Sequence, residues 1–214
     1  FVTYPMTGWI GISLGDATGI GPEVTLKALA AELPRDDTRY LLLGDEKHLR
    51  ELNSRLTLNL PLLTPKSSRG PGLDKRLCIA PSLSQPLTTD LLPGNPNAAN
   101  AAVAWLKDGA ERCLRGELDA LVTAPVNKEA IIRAGHAFVG QTEFLSQLAG
   151  TERTAMMLLG QDESGRWLRV ALATTHVPIR QLPERLTQSK VELAIELAAQ
   201  SCLELGLPRA RIAV

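Results

Sequence analysis

Short apolar runs alternate with stretches of helical periodicity along most of the chain, and this alternation predicts an α/β fold. The apolar runs at residues 9–14, 40–43 and 120–123 are predicted as buried strands, because the strands of a parallel sheet are covered on both faces. Helices are predicted where apolar side chains recur every three or four residues, over residues 22–30, 46–56 and 97–114. Strands and helices in that order favour one sheet with helices packed on it.

The regular pattern weakens between residues 59 and 93, where prolines recur. Proline ends helices and interrupts sheet ladders, so only short extended pieces are expected, such as residues 77–80. We predict a loop-rich excursion at the edge of the sheet.

Residues 120–148 contain two polar loops, and each precedes a predicted helix. Pro125 ends the strand because it cannot donate to a sheet ladder, and Asn127 is predicted to cap a helix that Gly135 ends. The second loop carries the side chains of Gln141, Thr142 and Glu143. Ligands of open α/β sheets bind at the carboxyl ends of strands and at helix N-termini, so these loops are predicted to form a binding site.

After Gly150 the pattern changes to two apolar runs, at residues 154–159 and 167–174, joined by a polar turn. This arrangement predicts a β-hairpin. An amphipathic helix is predicted over residues 189–205, and residues 211–214 read as the start of a further strand. Because loops after such strands usually carry function, we expect the chain to be a piece of a longer protein, truncated at its C-terminal side.

Composition and charge narrow the class of protein. The 214 residues are 44% hydrophobic and 21% charged, with 23 basic and 23 acidic side chains, which is ordinary for a globular protein of one or two domains. A net charge of zero gives no general attraction to nucleic acid or to anionic membranes, and no apolar run approaches the ~20 residues of a membrane helix. Three scattered cysteines, at positions 78, 113 and 202, favour a reduced, cytoplasmic protein.

The three histidines are the first candidates for metal or acid–base chemistry. His48 lies in a charged helical stretch and is predicted to be a solvated surface residue, and His136 follows a glycine in a turn where local hydrogen bonding is expected. His176 follows two threonines at the end of the predicted buried strand, residues 170–173. An imidazole there is either a strand-end side chain bonded to the backbone, or a base or metal ligand. One histidine alone does not form a metal site.

The turn after the first strand is rich in glycine but does not match a nucleotide-binding motif. Gly15, Gly19 and Gly21 are spaced G-x-x-x-G-x-G, which differs from the G-x-G-x-x-G fingerprint, and the lysine of a P-loop is missing. The glycines are predicted to permit a tight turn between strand and helix. Direct phosphate binding remains an alternative, and Asp16 within the turn could reach a cleft.

Four motifs together resemble the 4-hydroxythreonine-4-phosphate dehydrogenase family of pyridoxal phosphate biosynthesis. They are Leu-Gly-Asp-Ala-Thr-Gly-Ile-Gly-Pro-Glu at 14–23, Leu-Val-Thr-Ala-Pro-Val-Asn-Lys at 121–128, Gly-Gln-Thr-Glu-Phe at 140–144 and Val-Ala-Leu-Ala-Thr-Thr-His at 170–176. They occur in the family's order and span most of the chain.

The resemblance implies an isocitrate/isopropylmalate dehydrogenase-like fold of two α/β domains, of which residues 1–214 form one dehydrogenase-like region. It also implies a homodimer whose sites lie in interdomain clefts. The reaction would be oxidation of the secondary alcohol of a small phosphorylated substrate by NAD or NADP, followed by decarboxylation. A divalent metal (zinc, magnesium or cobalt) would hold the substrate oxygen.

Three site residues follow from the resemblance, and one of them departs from the family. His176 matches the metal-binding histidine, while Gln141 and Thr142 match a substrate-binding pair in which a histidine usually stands where this chain has Gln141. Glutamine can donate to phosphate or carboxylate but cannot become cationic. The lysine at position 128 is expected to reach an anionic group.

Several functions therefore stay open at this stage. The chain could act on 4-hydroxythreonine 4-phosphate or, as a related dehydrogenase, on another phosphorylated hydroxy acid or diol. It could also be a non-catalytic module that binds a phosphorylated metabolite, or a phosphate acyltransferase of related fold.

Overall fold

The computed structural model describes residues 8–35, 37–64, 76–80, 83, 86–88 and 90–214, and these form two compact units, residues 1–149 and 150–214. Unit 1 contains, in chain order, β1 (Trp9–Ser13), α1 (Gly21–Glu32), β2 (Arg39–Leu43), α2 (Glu46–Arg55), β3 (Leu77–Ala80), α3 (Pro96–Leu114), β4 (Ala120–Thr123), α4 (Lys128–Arg133) and α5 (Gln141–Leu148). Unit 2 contains β5 (Met156–Gln161), β6 (Trp167–Leu172), a short 3-10 helix (Ile179–Gln181), α6 (Leu182–Arg185) and α7 (Gln188–Glu204). The predicted α/β class is confirmed.

Unit 1 is built on a parallel four-stranded sheet in the order β3-β2-β1-β4. Ile12 of β1 lies opposite Leu42 of β2 on one side and Val122 of β4 on the other. The chain first builds the sheet outward from β1 through β2 to β3 and then returns to the other side of β1. In open α/β sheets, this reversal of strand order is where a crevice for ligands forms, here between the carboxyl ends of β1 and β4.

The main core of unit 1 lies on the central strands. Leu42, Leu43 and Leu26 are completely buried, and the indole of Trp105 on α3 is 1% exposed. Burying an apolar side chain of this size contributes about 1.5–3 kcal/mol each. Because α1, α2 and α3 bury their apolar faces here, the ends of the strands that carry the loops are held in fixed positions.

A second apolar cluster fixes the helices that follow β4. Ile131 of α4 and Phe138 are buried beside residues of α3, and Phe144 of α5 packs on this cluster with its ring centroid 5.6 Å from that of Phe138. The cluster therefore sets where the N-terminus of α5 lies, and with it the positions of Gln141 and Thr142.

Unit 2 consists of the predicted hairpin and the long helix. Strands β5 and β6 are antiparallel, and α7 packs on β6 through a side that buries Ala194 and Ala198. Opposite residues of such a hairpin share a face, so Leu158 and Val170 lie side by side, and both are exposed. The hairpin was predicted correctly, but its burial was not.

Three predicted buried or extended segments differ from the structure. Strand β4 alternates between exposed and half-buried residues, because α3 packs on the face that carries Leu121 while Ala120 and Val122, on the opposite face, are exposed. Residues 170–173 are half-buried or exposed, because the two-stranded sheet has a helix on one face only. Residues 211–214 form no strand.

The irregular segment was predicted in part. Strand β3 is fully buried and is an edge strand, as expected for the piece at residues 77–80. Residues 65–75, 81, 82, 84, 85 and 89 lie outside the described part of the chain. Leu60 is held by a pair of hydrogen bonds to the side chain of Asn53, which fastens the segment to α2. Within the described ranges, no helix has the length and apolar character that a bilayer crossing requires.

Candidate functional site

The glycine turn after β1 packs directly against the loop after β4. Gly15 has a φ of 67°, and a Cβ added to it would lie 2.2 Å from the carbonyl oxygen of Pro125. The Asp16 amide donates to that same oxygen at 3.0 Å. At Gly21 an added Cβ would lie 2.5 Å from the Leu14 carbonyl oxygen. The tight turn is confirmed, and the space that the missing side chains leave is filled by the protein's own backbone.

The carboxylate of Asp16 stabilises this turn. It is 9% exposed, and its Oδ1 accepts from the backbone amide of Thr18 at 2.9 Å and from the Thr18 hydroxyl at 2.8 Å. The side chain folds back on its own loop, which is the bonding pattern that suits aspartate in turns. Asp16 was expected to reach into a cleft, but its Oδ1 bonds within the turn instead.

The loop after β4 is held at each of its ends. The Ala124 amide donates to the Ser13 carbonyl oxygen at 2.8 Å, which continues the pairing with β1. The Asn127 side chain accepts from the Ala130 amide at 3.0 Å and so caps α4, as predicted. Lys128 is the first residue of α4 and is exposed.

Gln141 joins α5 to that loop. Gly140 is the N-cap residue of α5, with extended backbone at φ −172°. The Gln141 Nε2 donates to the Ala124 carbonyl oxygen at 3.2 Å. Its Oε1 is shielded from solvent and has no hydrogen-bond partner among the described residues.

Thr142 is exposed on the first turn of α5, and its carbonyl oxygen accepts from the Ser146 hydroxyl at 2.8 Å.

Four structural features lie together at the carboxyl edge of β1 and β4. These are the glycine turn, the Ala124–Pro125 carbonyls, the N-terminus of α4 with Lys128, and the Gln141–Thr142 pair. The arrangement offers backbone and amide hydrogen-bonding groups beside one cation.

His176 belongs to unit 2 and lies four residues beyond the end of β6, with a φ of 59°. Its position differs from the predicted strand end, because pairing between β5 and β6 stops at Leu172. A positive φ is uncommon for a residue with a side chain and is often found at functional sites. The imidazole is exposed, and the described residues include no group of three or more potential ligands that could hold a metal.

The other two histidines have non-local environments. His136 Nε2 lies 2.7 Å from the Asn100 side-chain oxygen on α3, so it links the loop before α5 to α3, and the His136 amide also donates locally to the Ile131 carbonyl oxygen at 3.3 Å, as expected. His48 is half-buried and not a solvated residue as predicted. Burial lowers the pKa of His48, the carboxylates of Asp45 and Glu51 oppose that shift, and Arg55 reinforces it.

The sequence reasoning did not single out Asp45, a buried carboxylate that accepts two backbone hydrogen bonds. It is 6% exposed, caps α2 by accepting from the His48 amide at 2.8 Å, and accepts from the Leu87 amide at 2.9 Å. An aspartate directly before a helical stretch is an N-cap signal that could have identified it. It borders a cavity of ≈ 60 Å³ at the carboxyl ends of β1 and β2, also lined by Thr18, His48 and Thr88.

Comparison with known proteins identifies the family of this chain. The family model of the pyridoxal phosphate biosynthetic protein PdxA matches residues 36–214. The chain belongs to the PdxA family. The PdxA match includes Gln141, Thr142 and His176, whereas the glycine turn lies before the matched residues.

Individual relatives agree with the PdxA assignment. A 4-hydroxythreonine-4-phosphate dehydrogenase from Synechococcus sp. is 36% identical over 210 residues, covering 96% of this chain and 59% of that protein. A crystal structure of a 4-hydroxythreonine-4-phosphate dehydrogenase from Burkholderia phymatum superposes with a TM-score of 0.79 at 31% identity, covering 95% of this chain and 60% of that one. A putative D-threonate 4-phosphate dehydrogenase from Oceanobacillus iheyensis is 32% identical, over 96% of this chain and 61% of that protein. The chain spans about 60% of the length of these PdxA relatives.

Proposed function

We propose that the chain is part of an NAD(P)-dependent dehydrogenase that oxidises the secondary alcohol of 4-hydroxythreonine 4-phosphate in pyridoxal phosphate biosynthesis. The alcohol carbon is one bond from the carbon that bears the carboxylate, so its oxidation gives a β-keto acid that loses carbon dioxide. The observation that carries the proposal is the pairing of Gln141 with the Ala124 loop at the strand-order reversal of the sheet, within a chain of this family.

The residues of unit 1 would bind and orient the substrate. Thr142, exposed on the first turn of α5, offers a hydroxyl to it, and Lys128 offers a cation to a phosphate or carboxylate. Gln141 is fastened to Ala124, so its amide is held in place before the substrate arrives. Groups positioned in advance lose little entropy on binding, which favours a productive orientation of the alcohol.

A divalent metal (zinc, magnesium or cobalt) is part of the proposal, with His176 as one ligand. When bound, such an ion polarises the substrate oxygen as a Lewis acid. The described residues do not assemble a complete ligand set. The exposed imidazole of His176, on a backbone held at positive φ, is consistent with a ligand that other groups must join.

NAD or NADP would accept the hydride. The described residues of the glycine turn do not form its cradle, because the backbone of Pro125 and Leu14 fills the space beside Gly15 and Gly21. The assignment of NAD or NADP is therefore supported by family membership.

We further propose the quaternary and domain organisation expected for this family. The complete protein would have an isocitrate/isopropylmalate dehydrogenase-like fold of two α/β domains, with residues 1–214 in one dehydrogenase-like region, and would act in the cytoplasm as a homodimer. The exposed apolar face of the hairpin, which includes Leu158, Leu168 and Val170, supports association with a further surface.

The activity test uses the full-length protein with 4-phosphooxy-L-threonine, a divalent metal and either NAD or NADP. We expect reduced nicotinamide and carbon dioxide in equal amounts. The proposal would fail if the pure, folded protein with added metal produced neither.

The metal test uses His176→Ala in the full-length protein, with calorimetric titration of zinc, magnesium and cobalt. We expect lost metal binding and lost turnover with an unchanged unfolding temperature, because His176 is exposed and contributes little to packing. His136→Ala is the matched control, since that imidazole is paired with Asn100. Unchanged metal affinity in the His176 variant would assign it a structural role.

D-threonate 4-phosphate is the second candidate substrate. It is favoured by the relative from Oceanobacillus iheyensis and by Gln141 at the position where a histidine is usual. Comparison of kcat/KM for the two substrates in the same assay decides between them.

A further inference from the structure

A large cavity lies within unit 2 and is lined by residues of β6, α7 and the segment 207–214. Its volume is ≈ 670 Å³, and most of the side chains that line it are apolar. They include Trp167, Leu186 and Ile212, which are all exposed. Apolar side chains that stay exposed together are typical of a surface that another segment or molecule covers. Unit 2 therefore presents a cavity that we expect to be filled.

The described residues that line this cavity include three arginines and no acidic residue. The arginines are Arg169, Arg209 and Arg211. The three glutamates of α7 accept hydrogen bonds from other side chains, and none of them lines the cavity. The cavity therefore carries positive charge that its own walls do not balance, so an occupant with a negative group is favoured over a neutral or basic one.

Arg169 is held in place but has no anionic partner among the described residues. Its guanidinium carbon lies 5.6 Å from the centre of the Trp167 ring, which is the geometry of a cation–π contact. Its Nε is shielded from solvent and unpaired, whereas the two terminal nitrogens are not shielded and donate to no described residue. A carboxylate can therefore reach the terminal nitrogens without displacing the side chain.

The length of the relatives indicates what fills the cavity. This chain covers 59% and 60% of two of them, so about two fifths of each relative lies outside the match. A segment of the same polypeptide has a high effective concentration near the cavity. It also loses less translational and rotational entropy on docking than a separate molecule does. A further segment of the full-length protein is therefore favoured over a free ligand or a second copy.

We propose that a segment of the full-length protein outside residues 1–214 fills this cavity and places an aspartate or glutamate carboxylate on the terminal nitrogens of Arg169. The apolar side chains of that segment cover Trp167, Leu186 and Ile212, and the carboxylate forms a charge-assisted pair with the guanidinium. Arg169 is thus the polar anchor of an otherwise apolar contact. The inference does not depend on the proposed dehydrogenase activity.

Zero-length cross-linking of the full-length protein identifies the partner of Arg169 directly. Arg169→Lys keeps the positive charge, and a carbodiimide joins a lysine amine to a carboxylate only where the two groups are in contact. Mass spectrometry of the monomeric product should find position 169 joined to an aspartate or glutamate outside residues 1–214. Arg166→Lys is the matched control, because the Arg166 Nε lies 2.7 Å from Asp162 Oδ2 in the same hairpin, and it should join to Asp162.

Three results of this experiment would overturn the inference. A cross-link from position 169 to an acidic residue within residues 1–214 would show that this part of the chain balances the charge itself. A cross-link between isotopically heavy and light chains, mixed before the reaction, would assign the cavity to a second copy. Absence of any cross-link at position 169, with the Arg166 control joined to Asp162, would show that no carboxylate contacts Arg169.

A small amphipathic carboxylate is the remaining occupant, and calorimetric titration with decanoate tests it. Because the proposed segment already fills the cavity, the full-length wild type should not bind decanoate. Binding of decanoate that is lost in Arg169→Met would assign the cavity to a free ligand and would also overturn the inference.

Discussion

The carboxyl edge of the sheet in unit 1 and the hairpin of unit 2 differ in how well their groups are shielded from solvent. At the sheet edge, the loops after β1 and β4 bond to each other, and the Pro125 carbonyl and Gly15 are in contact. In the hairpin, Leu158 and Leu168 are 56% and 68% exposed on one face. Unit 1 therefore has its own core, whereas the hairpin presents an apolar face that the described residues do not cover.

This difference predicts which substitutions should lower the free energy of unfolding. In a closed core every methylene contributes through packing, so truncation is costly. On an uncovered face the same truncation removes few contacts. The three predictions below test this contrast, beginning with the largest effect.

The largest expected effect comes from matched leucine truncations in the two regions. Leu42→Ala in β2, where the side chain is completely buried, should lower the free energy of unfolding by about 2–5 kcal/mol. Leu158→Ala in β5, more than half exposed, should change it by less than about 0.5 kcal/mol. Urea unfolding at low protein concentration measures both.

A concentration series sharpens this comparison. If Leu158→Ala costs well over 1 kcal/mol and the cost grows with protein concentration, then a second copy covers the hairpin face in solution. The contrast between the two regions would then hold only for the monomer.

The next effect concerns two glycines with the same backbone conformation. Gly15 and Gly165 have φ values of 67° and 75°, but only Gly15 has backbone atoms where a Cβ would stand. Replacement of Gly165 by alanine should lower the free energy of unfolding by about 1–2 kcal/mol, because of the left-handed conformation alone. It should cost clearly more at Gly15, because the clash with Pro125 adds to that strain. Equal losses of unfolding free energy would show that the two loops can separate freely.

The smallest expected effect is the pH dependence from His48. Its pKa is lowered in the folded state, so the unfolded chain binds the proton more readily. Stability from this residue is complete above the unfolded pKa of about 6.5 and is lost as the pH falls from there toward the folded pKa. Urea midpoints at pH 8 and pH 5 should therefore differ more in the wild type than in His48→Gln. An identical pH dependence in the two proteins would contradict the half-buried position.

Much of the fold and part of the candidate site could be predicted from local patterns. The Asn127 cap, a helix that follows Gly140, and the hairpin of β5 and β6 were predicted correctly, because capping residues, apolar spacing and polar turns act over a few residues. Residues 141–143, predicted as a loop, form the first turn of that helix. The Gly140–Glu143 motif identified a loop that the structure places beside the β4 loop. Pairing of Gln141 with Ala124 could not be predicted, since it joins residues 17 positions apart through a packed cluster.

The sequence by itself determined the α/β class, the family and the order of the elements, because periodicity and motifs are properties of the chain. Only the tertiary structure decided which predicted strands are buried, since burial depends on neighbours that a strand does not encode. Strand β4 has one exposed face, which carries Ala120 and Val122, and residues 170–173 lie in a two-stranded sheet. The tertiary structure also decided the roles of Asp16 and Gln141, because a polar side chain bonds to whichever group the fold brings within hydrogen-bonding distance of it.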